Sequence, residues 1–163
     1  MKRAIVLGND PMLRQKAAQL TAQDLRNADT QLLIDELFET MLVADGLGLA
    51  APQVGVSKRF IIVMQDSTPT CLVNPSFTPA SKERELGEEG CLSFPGLYGK
   101  VARFKSIHVL ALDRNGNPVE LNVSDMNARV IQHEIDHLNG ILLPDRLKEK
   151  ESAPEAAFAG KPL

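Results

Sequence analysis

Tryptophan is absent from the 163 residues, and the sequence has a single tyrosine and only two cysteines. With so few aromatic rings, stacking on nucleic-acid bases has little to build on, and a net charge of −3 offers no basic surface for phosphates. No apolar run approaches the roughly 20 residues that cross a bilayer, and the apolar stretch at residues 4–7 is too short for a signal-peptide core. We therefore expect a cytoplasmic protein without a membrane partner and without nucleic-acid specificity.

The length and composition favour one globular domain with its own core. Hydrophobic residues make up 44% and charged residues 24% of the chain, which is typical of a folded domain, and 163 residues are too few for two ordinary domains. We expect this domain to cover residues 1–147. Residues 148–163 mix Ala, Glu, Pro and Gly with little apolar periodicity, so a frayed helix or a disordered tail is expected there.

Two helices are predicted near the N-terminus. Asp10, followed by a proline, is typical of a helix start, and this helix is expected to run to about residue 20. The second helix is expected to begin at Asp29 or Thr30 as its N-cap and to stop at Gly46. Its apolar stripe consists of Leu33, Leu37, Phe38, Met41 and Leu42.

Between residues 58 and 123 the pattern changes to that of strands. Strands are predicted at residues 60–64, 71–73, 101–112 and 119–123. The second of them should end at Asn74-Pro75, and an Asn115-Gly116 turn should join the last two. The charged segment 81–89 is expected to be a solvated loop or an edge strand. The predicted class is α+β, with mostly antiparallel strands packed around one central helix and further helices at the N-terminus.

The central helix, expected to run from an N-cap at Ser124 to Gly140, carries two histidines four residues apart, His133 and His137. At about 100° per residue they lie one turn apart on the same face, so both imidazoles can bind one ion. Glu134 projects away from His133 and is better placed to reach a water on that ion. A chance match on a solvated helix is the alternative. Both flanks are apolar, however, and buried polar groups left without an ion would cost about 1–3 kcal/mol each, so we predict a metal-binding helix.

A third ligand is needed, because catalytic ions of this kind take three protein ligands and keep a position for water. The candidates downstream of His137 are acids in the tail: Glu149, Glu151 and Glu155. That choice would indicate a zinc endopeptidase. The upstream candidate is Cys91, which lies among small and polar residues, whereas Cys71 lies in an apolar run and is expected to be a buried structural thiol. A structural zinc site is a further alternative, but such sites usually have four ligands and no fourth is apparent.

A third segment with chemical character is Gly46-Leu47-Gly48, which continues to Gln53 through small residues. Two glycines this close together indicate a backbone that another group approaches closely. A phosphate-binding loop is excluded, because no Lys-Ser/Thr pair follows and the segment does not join a strand to a helix. Gln53 is its only polar side chain able to donate a hydrogen bond into a site.

The segments GLGLAAPQ, EGCLS and QHEIDHL, in this order and spacing, resemble the three motifs of the peptide deformylase family. The resemblance implies an α+β hydrolase that removes the formyl group from N-formylmethionine at the start of new polypeptides. It implies that Cys91, His133 and His137 bind the metal, while Glu134 is the general base and acid for a metal-activated water. The side chain of Gln53 and the backbone N–H of Leu92 match the donors to the oxyanion.

Further residues follow from the resemblance as expectations. The methionine pocket is expected to use Val130 and Met126, about one and two turns before His133 respectively, together with Leu47. The peptide backbone is expected to pair with Gly46–Gly48. Glu89 and Arg103 match an ion pair that orients the cysteine segment. The sequence departs from many bacterial members at Tyr98, where they have an arginine that helps to hold the peptide, and at Gly96, which replaces a common glutamate.

The resemblance also implies the cofactor and the partners. Bacterial members are similar in using Fe²⁺, with Zn²⁺, Ni²⁺ or Co²⁺ able to occupy the site, and the Cys-His-His set alone does not choose among them. The expected partners are N-formylmethionyl nascent peptides, with docking at the ribosome near its exit tunnel left open. A monomer is expected. The third histidine, His108, is interpreted as a strand residue without a role in the site.

Overall fold

The structure, a computed structural model, describes residues 2–152 of the chain, with side chains as far as Lys148. The α-helices of this part are Ala22–Arg26 (α1), Ala28–Val43 (α2), Asp125–Leu138 (α3) and Leu143–Ser152 (α4). Its strands are Gly48–Ala50 (β1), Phe60–Gln65 (β2), Thr68–Pro79 (β3), Arg84–Cys91 (β4), Phe94–Phe104 (β5), Ser106–Leu112 (β6) and Pro118–Ser124 (β7). Short 3-10 helices lie at Pro11–Arg14 and Ala51–Val54.

The predicted helix from Asp10 to about residue 20 is wrong. Asp10 does cap a helical turn, since its side chain accepts a backbone N–H two residues on at 2.8 Å, but only the 3-10 helix Pro11–Arg14 forms. Beyond it the chain runs along helix α3, where the Ala17 N–H donates to the Leu138 carbonyl oxygen at 2.9 Å. This tertiary bond satisfies a backbone group that a longer helix would have used internally.

The second predicted helix is confirmed as α2, with a different start. Its N-cap is Asn27, whose side chain accepts the Asp29 N–H at 2.8 Å, so neither Asp29 nor Thr30 is the cap. An asparagine in extended backbone satisfies the free N–H groups of a first turn as well as an aspartate does. The helix ends at Val43, slightly before Gly46. Helix α1 precedes it without a counterpart in the sequence predictions.

Five strands form an antiparallel sheet in the order β1-β2-β3-β6-β7, and β4 and β5 form a separate hairpin. The predicted single strand at 101–112 is wrong, because β5 ends at Phe104, β6 begins at Ser106, and each joins a different sheet. The break falls at Lys105, whose N–H donates to the Glu83 carbonyl oxygen. Apolar residues alternate on both sides of this break, which is why the pattern looked continuous.

The other strand predictions are confirmed with changed limits. Residues 71–73 belong to β3, which passes Asn74-Pro75 instead of ending there. A β-bulge allows this: the register shifts after Val73 and Asn74 adopts a φ of 49°, so the proline is kept out of the regular ladder. The segment 81–89 contributes to β4, as in the edge-strand interpretation. The strands at 60–64 and 119–123 are β2 and β7.

The five-stranded sheet is covered on both faces, as strand β2 illustrates. Phe60 and Ile62 pack towards α2, while Ile61 and Val63 pack towards α3, and all of them are fully buried. Helix α3 adds Ala128, Ile131, Ile135 and Leu138 to the second of these clusters. The predicted α+β architecture, with antiparallel strands around a central helix, is confirmed. So are the N-cap of that helix at Ser124 and its end before Gly140.

Helix α4 follows α3 after a short turn and crosses the predicted domain limit at residue 147. Its start is held to the N-terminal region by an ion pair between Arg14 and Asp145. The turn itself requires Gly140, which has a φ of 71° and whose added Cβ would lie 2.3 Å from the Arg14 carbonyl oxygen. Residues 153–163 lie outside the described residues, so the domain limits remain a prediction. Within residues 2–152, none of the helices combines the length and the apolar character that a membrane crossing needs.

Candidate metal centre

Helix α3 and the β4–β5 hairpin bring the three predicted ligands together. Cys91 is the last residue of β4, and its Sγ lies 3.2 Å from Nε2 of His137. One ligand atom each from Cys91, His133 and His137 lies within 4.8 Å of the other two. One sulfur and two imidazole nitrogens leave a coordination position for water or substrate, as catalytic sites for zinc-like ions do. These residues therefore fit a divalent transition-metal ion.

The second cysteine, Cys71, is not part of this group. It lies on β3 in the core between α2 and the sheet, and it is free and buried. Burial raises the pKa of its thiol to about 12, so it carries no thiolate near neutral pH. The prediction that Cys71 is a buried thiol is confirmed.

The two histidines have different partners behind them. Nδ1 of His133 lies 2.9 Å from Oε2 of Glu89, which leaves its Nε2 for Cys91 and the metal position. Nδ1 of His137 is buried and has no hydrogen-bond partner among the described residues. Burial lowers the pKa of His133, but its contacts with Cys91, Glu89 and Glu134 together raise it to about 10. Burial and the neighbouring His133 hold the pKa of His137 well below its usual value.

The predicted ion pair between Glu89 and Arg103 forms and is buried. Nε and Nη2 of Arg103 each donate to a different oxygen of Glu89 at 2.9 Å. Burial raises the pKa of Glu89, but the hydrogen bonds from Arg103 and His133 and their charges bring it down to about 2. Glu89 is thus a carboxylate near neutrality, and it fixes the ring of His133 so that Nε2 points at the metal position.

Three charged residues around this pair were missed by the sequence reasoning. Arg129 donates to Oε1 of Glu89 at 2.8 Å, and Asp136 accepts from Arg103 and also from Arg146 of α4. A signal for two of them existed, since Arg129, His133 and Asp136 are spaced i, i+4 and i+7 and therefore share one face of α3. Charged residues on the same face as a predicted ligand, on a helix with apolar flanks, indicate buried partners.

Glu134 lies in the wall of the site, beneath the glycine segment. Its side chain is buried, and its Oε2 has no hydrogen-bond partner within the described part of the chain. A Cβ added at Gly48 would lie 2.5 Å from its Oε1, so this close approach requires glycine on β1. Burial raises the pKa of Glu134 to about 7.

Gln53 is held with its amide towards the thiol. Its Oε1 accepts the Ala50 N–H at 2.9 Å, and its Nε2 donates to Ser93 Oγ at 3.2 Å and lies 3.7 Å from Cys91 Sγ. Ser93 is buried and was not singled out in the sequence. Leu92, the other predicted oxyanion donor, lies beside Ser93 in the two-residue turn between β4 and β5. The roles of both donors remain predictions.

A cleft with a volume of about 490 Å³ opens above these residues. Every residue predicted for the substrate pocket lines it: Gly46, Leu47, Gly48, Tyr98, Met126 and Val130. Leu47, Tyr98 and Met126 are more than half exposed, so the rim of the cleft is apolar. Tyr98 lies opposite Gly90 in the hairpin with its ring over that glycine, where an added Cβ would be 2.6 Å from the ring. His108 lies on β6 and pairs with Glu120 and Asn122 of β7.

An α+β fold that places a Cys-His-His set beside a buried carboxyl in an apolar cleft is that of a metal-dependent hydrolase. The family model described as "Polypeptide deformylase" matches residues 2–153. The chain belongs to this family, and the predicted resemblance is confirmed.

Peptide deformylases of known sequence or structure are similar to this chain over most of its length. A peptide deformylase of Pseudothermotoga lettingae is 46% identical over 145 residues, covering 89% of this chain and 82% of the relative. One of Chromohalobacter salexigens is 47% identical over 141 residues, covering 85% and 81%. The crystal structure of a class I type b peptide deformylase of Acinetobacter baumannii with Met-Ala-Ser bound superposes with a TM-score of 0.86 at 37% identity, covering 90% of this chain and 98% of that one. The Thermotoga maritima enzyme gives a TM-score of 0.85 at 39% identity, covering 90% and 98%.

Proposed function

We propose that this chain hydrolyses the formyl group from N-formylmethionine at the N-terminus of newly made polypeptides. The observation that carries the proposal is the convergence of Cys91, His133 and His137 beside the buried carboxyl of Glu134, in a member of the deformylase family. The solved relative from Acinetobacter baumannii binds Met-Ala-Ser, which is the peptide left when formyl-Met-Ala-Ser loses its formyl group.

Glu134 carries the proton transfers in this proposal. When bound, a divalent ion at the site supplies a water of lowered pKa and a positive charge for the formyl oxygen. The carboxylate of Glu134 accepts a proton from the attacking water as its oxygen bonds to the formyl carbon. The same carboxyl then donates a proton to the leaving nitrogen as the C–N bond breaks, so formate and a free amine are released. A pKa of about 7 suits a group that takes up and gives back a proton near neutrality.

The amide of Gln53 and the N–H of Leu92 are proposed to stabilise the negative charge on the formyl oxygen. Gln53 is already oriented by its bonds to Ala50 and Ser93, so only the N–H that lies towards Cys91 Sγ at 3.7 Å has to turn from the thiol to the formyl oxygen when that charge develops. A preorganised donor of this kind typically stabilises the transition state by about 3 kcal/mol.

The cleft is proposed to hold the methionine side chain against Met126 and Val130. The following residues of the peptide would lie along Gly46–Gly48, because β1 is the edge strand of its sheet in the described part of the chain and an extended peptide can add to such an edge. A formyl carbon carries only a hydrogen, so a site closed by Gly48 and Glu134 would exclude acetyl groups by shape.

The same proposal includes the metal ion, the cellular compartment and the oligomeric state. Thiolate and imidazole ligands accommodate Fe²⁺, Zn²⁺, Ni²⁺ and Co²⁺ alike, and Fe²⁺ is proposed on the family resemblance. We place the enzyme in the cytoplasm as a monomer acting on nascent peptides, with ribosome docking left open. A ferrous site with a thiolate ligand should lose activity in air, because both the iron and Cys91 can oxidise.

The direct test is formate release from formyl-Met-Ala-Ser, with the bound metal measured in the same sample. Protein loaded anaerobically with Fe²⁺ or Ni²⁺ should release formate in proportion to its metal content, and the chelated protein should release none. Metal-loaded protein that leaves the formyl peptide intact would refute the proposal. Retained activity after hours in air would refute Fe²⁺ and favour Ni²⁺ or Zn²⁺.

A zinc endopeptidase that uses Glu149, Glu151 or Glu155 as its third ligand is the competing function. Replacement of Cys91 separates the two, since Cys91→Ser should lose both the metal and the deformylase activity. The control is Cys71→Ala, which removes the other thiol and should keep the metal. A Cys91→Ser protein that keeps its metal and cleaves peptide bonds would favour the endopeptidase.

A further inference from the structure

A continuous chain of hydrogen bonds leads from a metal ligand to helix α4. It begins at His133, whose Nδ1 lies 2.9 Å from Glu89, and passes through the two-pronged pair of Glu89 with Arg103. Nη1 of Arg103 then donates to Oδ2 of Asp136 at 2.5 Å. Asp136 finally accepts two bonds from Arg146, from Nε to Oδ2 at 2.9 Å and from Nη2 to Oδ1 at 2.6 Å.

The inner members of this chain are buried, so their geometry depends on their partners. Glu89, Arg103 and Asp136 are 7%, 5% and 8% exposed. Charges removed from water in this way are tolerated only when they are paired and hydrogen-bonded. Arg129 supplies a further cation to Glu89 and also donates to backbone carbonyls of the hairpin, but Asp136 receives its side-chain hydrogen bonds from Arg103 and Arg146.

Arg146 binds both oxygens of the Asp136 carboxylate. Oδ2 is shared between Arg103 and Arg146, whereas Oδ1 is bound by Nη2 of Arg146. A planar guanidinium that holds both oxygens of a carboxylate fixes its orientation as well as its charge. The orientation of Asp136 in turn sets the position of Arg103 and, through it, the carboxylate of Glu89 that holds His133.

We propose that Arg146 is a positioning residue of the metal centre, which keeps the His133 imidazole aimed at the ion through Asp136, Arg103 and Glu89. The inference rests on the proposed metal site. It means that α4, which lies beyond the sequence motifs, contributes to the geometry of the ligands. Removal of an outer partner of a metal ligand typically weakens metal binding by about 10- to 100-fold, and for the more distant Arg146 we expect the lower end.

Arg146 could instead simply hold α4 against the rest of the protein, and Arg14 provides a matched control for that role. Arg14 pairs with Asp145, the residue next to Arg146, and also fastens α4 to the body of the protein. Within the described part of the chain, Arg14 donates to Asp145 and the Gly140 carbonyl oxygen, not to Glu89 or Asp136. Arg14→Gln therefore loosens α4 without touching the chain of bonds to His133.

The experiment measures Co²⁺ binding to full-length protein, by competition with a chelator and by the visible absorption of the bound ion, which reports ligand geometry. We expect Arg146→Gln to bind Co²⁺ about tenfold more weakly with a shifted spectrum, and Arg14→Gln to match the wild type in both. Equal loss in the two variants, or wild-type binding and spectrum in Arg146→Gln, would overturn the inference while leaving the proposed function intact. Wild-type protein that binds no Co²⁺ would overturn both.

Asp136→Asn allows a double-mutant cycle as a second test, with Arg146→Lys in place of Arg146→Gln if the latter is poorly folded by circular dichroism. Asp136→Asn keeps the shape of the side chain and removes the charge that Arg146 binds. In the Asp136→Asn background, replacing Arg146 should weaken Co²⁺ binding no further, because both changes break the same connection. Losses that simply add would show that Arg146 acts elsewhere, and would overturn the inference.

Discussion

The two histidines of α3 face the same thiol, that of Cys91, but differ in the hydrogen-bond partners of their Nδ1 atoms. On the His133 side, two carboxylates and three arginines form one hydrogen-bonded network, with donor–acceptor distances of 2.5 to 2.9 Å from His133 through Glu89 and Arg103 to Asp136. On the other side, Nδ1 of His137 and Oε2 of Glu134 are buried without a hydrogen-bond partner in the described part of the chain.

The difference separates two tasks within one site. Buried polar atoms without partners cost about 1–3 kcal/mol each, and proteins keep them mainly where function requires them. On the His133 side, which we call the paired side, Glu89, Arg103 and Asp136 hydrogen-bond to one another and so fix the direction of the ligand. On the side of His137 and Glu134, which we call the unpaired side, Oε2 of Glu134 has no hydrogen-bond partner among the described residues. A group that must accept and return a proton needs such an available oxygen.

The largest expected effect lies on the unpaired side. Glu134→Gln keeps the size of the side chain and removes the proton acceptor, so kcat for formyl-Met-Ala-Ser should fall by about a thousandfold while the bound metal stays the same. Steady-state kinetics and metal analysis on one preparation check both parts. Glu120→Gln, a change at an exposed carboxylate of β7 outside the cleft, is the control and should keep its activity. An active Glu134→Gln enzyme would contradict the proposal that Glu134 is the general base.

The two sides should also differ in the sign of their pH dependence when the protein is metal-free. Glu134 has a folded-state pKa of about 7, above its usual 4.5, so it favours the folded state below pH 4.5 and this contribution is lost as the pH rises to 7. Glu89 has a folded-state pKa of about 2, so its contribution is present above pH 4.5 and is lost as the pH falls towards 2.

Urea unfolding of the metal-free protein between pH 3 and pH 8 tests the sign predicted for Glu134. At pH 8 the Glu134→Gln protein should be more stable than the wild type by about 3 kcal/mol, the free energy of a pKa shift of this size. The difference should shrink below pH 4.5, where the wild-type carboxyl is protonated. A stability difference that is the same at both ends of the pH range would contradict the assignment.

On the paired side, replacement of Glu89 should act on the metal more than on the chemistry. Glu89→Gln keeps one acceptor for Nδ1 of His133 but loses the charge that faces Arg103 and Arg129, so metal affinity should weaken by about 10- to 100-fold. Chelator competition measures the affinity, and kcat per bound metal should change less. Unchanged affinity would mean that the paired side has only a structural role.

The sequence made the helical half of this site predictable because its information is local. His133, Glu134 and His137 lie on one helix, and their spacing and apolar flanks suffice to place them around one ion. Cys91 was favoured by its context of small and polar residues and assigned as a ligand through the family resemblance, since nothing in the spacing of residues says that the end of β4 reaches α3. The same locality explains why the N-cap at Ser124 was predicted and the partners of His133 were only partly found.

Long-range pairing accounts for the parts that were missed. Arg103 and Asp136 are 33 residues apart, and no local pattern indicates that they meet. The strand at residues 101–112 looked continuous because alternation only reports which face is apolar, whereas the chain changes sheets at Lys105. In place of the helix expected after Asp10, the chain makes a backbone hydrogen bond from Ala17 to Leu138, a residue far along the sequence that no local pattern could indicate.

The smallest expected effect lies outside both sides, at Tyr98 on the rim of the cleft. The hairpin that carries Cys91 and Glu89 also carries this residue, which is 67% exposed. Tyr98→Arg adds a cation that can pair with the C-terminal carboxylate of formyl-Met-Ala-Ser. Exposed ion pairs contribute about 0.2–1 kcal/mol, so KM should fall by at most about fivefold, with kcat and metal affinity unchanged.

The control for Tyr98→Arg is Leu110→Arg, which adds the same charge at an exposed apolar residue of β6, outside the cleft. It should leave KM unchanged, and so should Tyr98→Arg when the peptide carries a C-terminal amide. A fall in KM that 0.5 M salt does not reduce would contradict an ion pair, since salt at that concentration screens exposed charges. If Tyr98→Arg also changed metal affinity, the residue would influence the metal ligands as well as the substrate. The hairpin would then not divide into residues that orient a ligand and residues that contact the peptide.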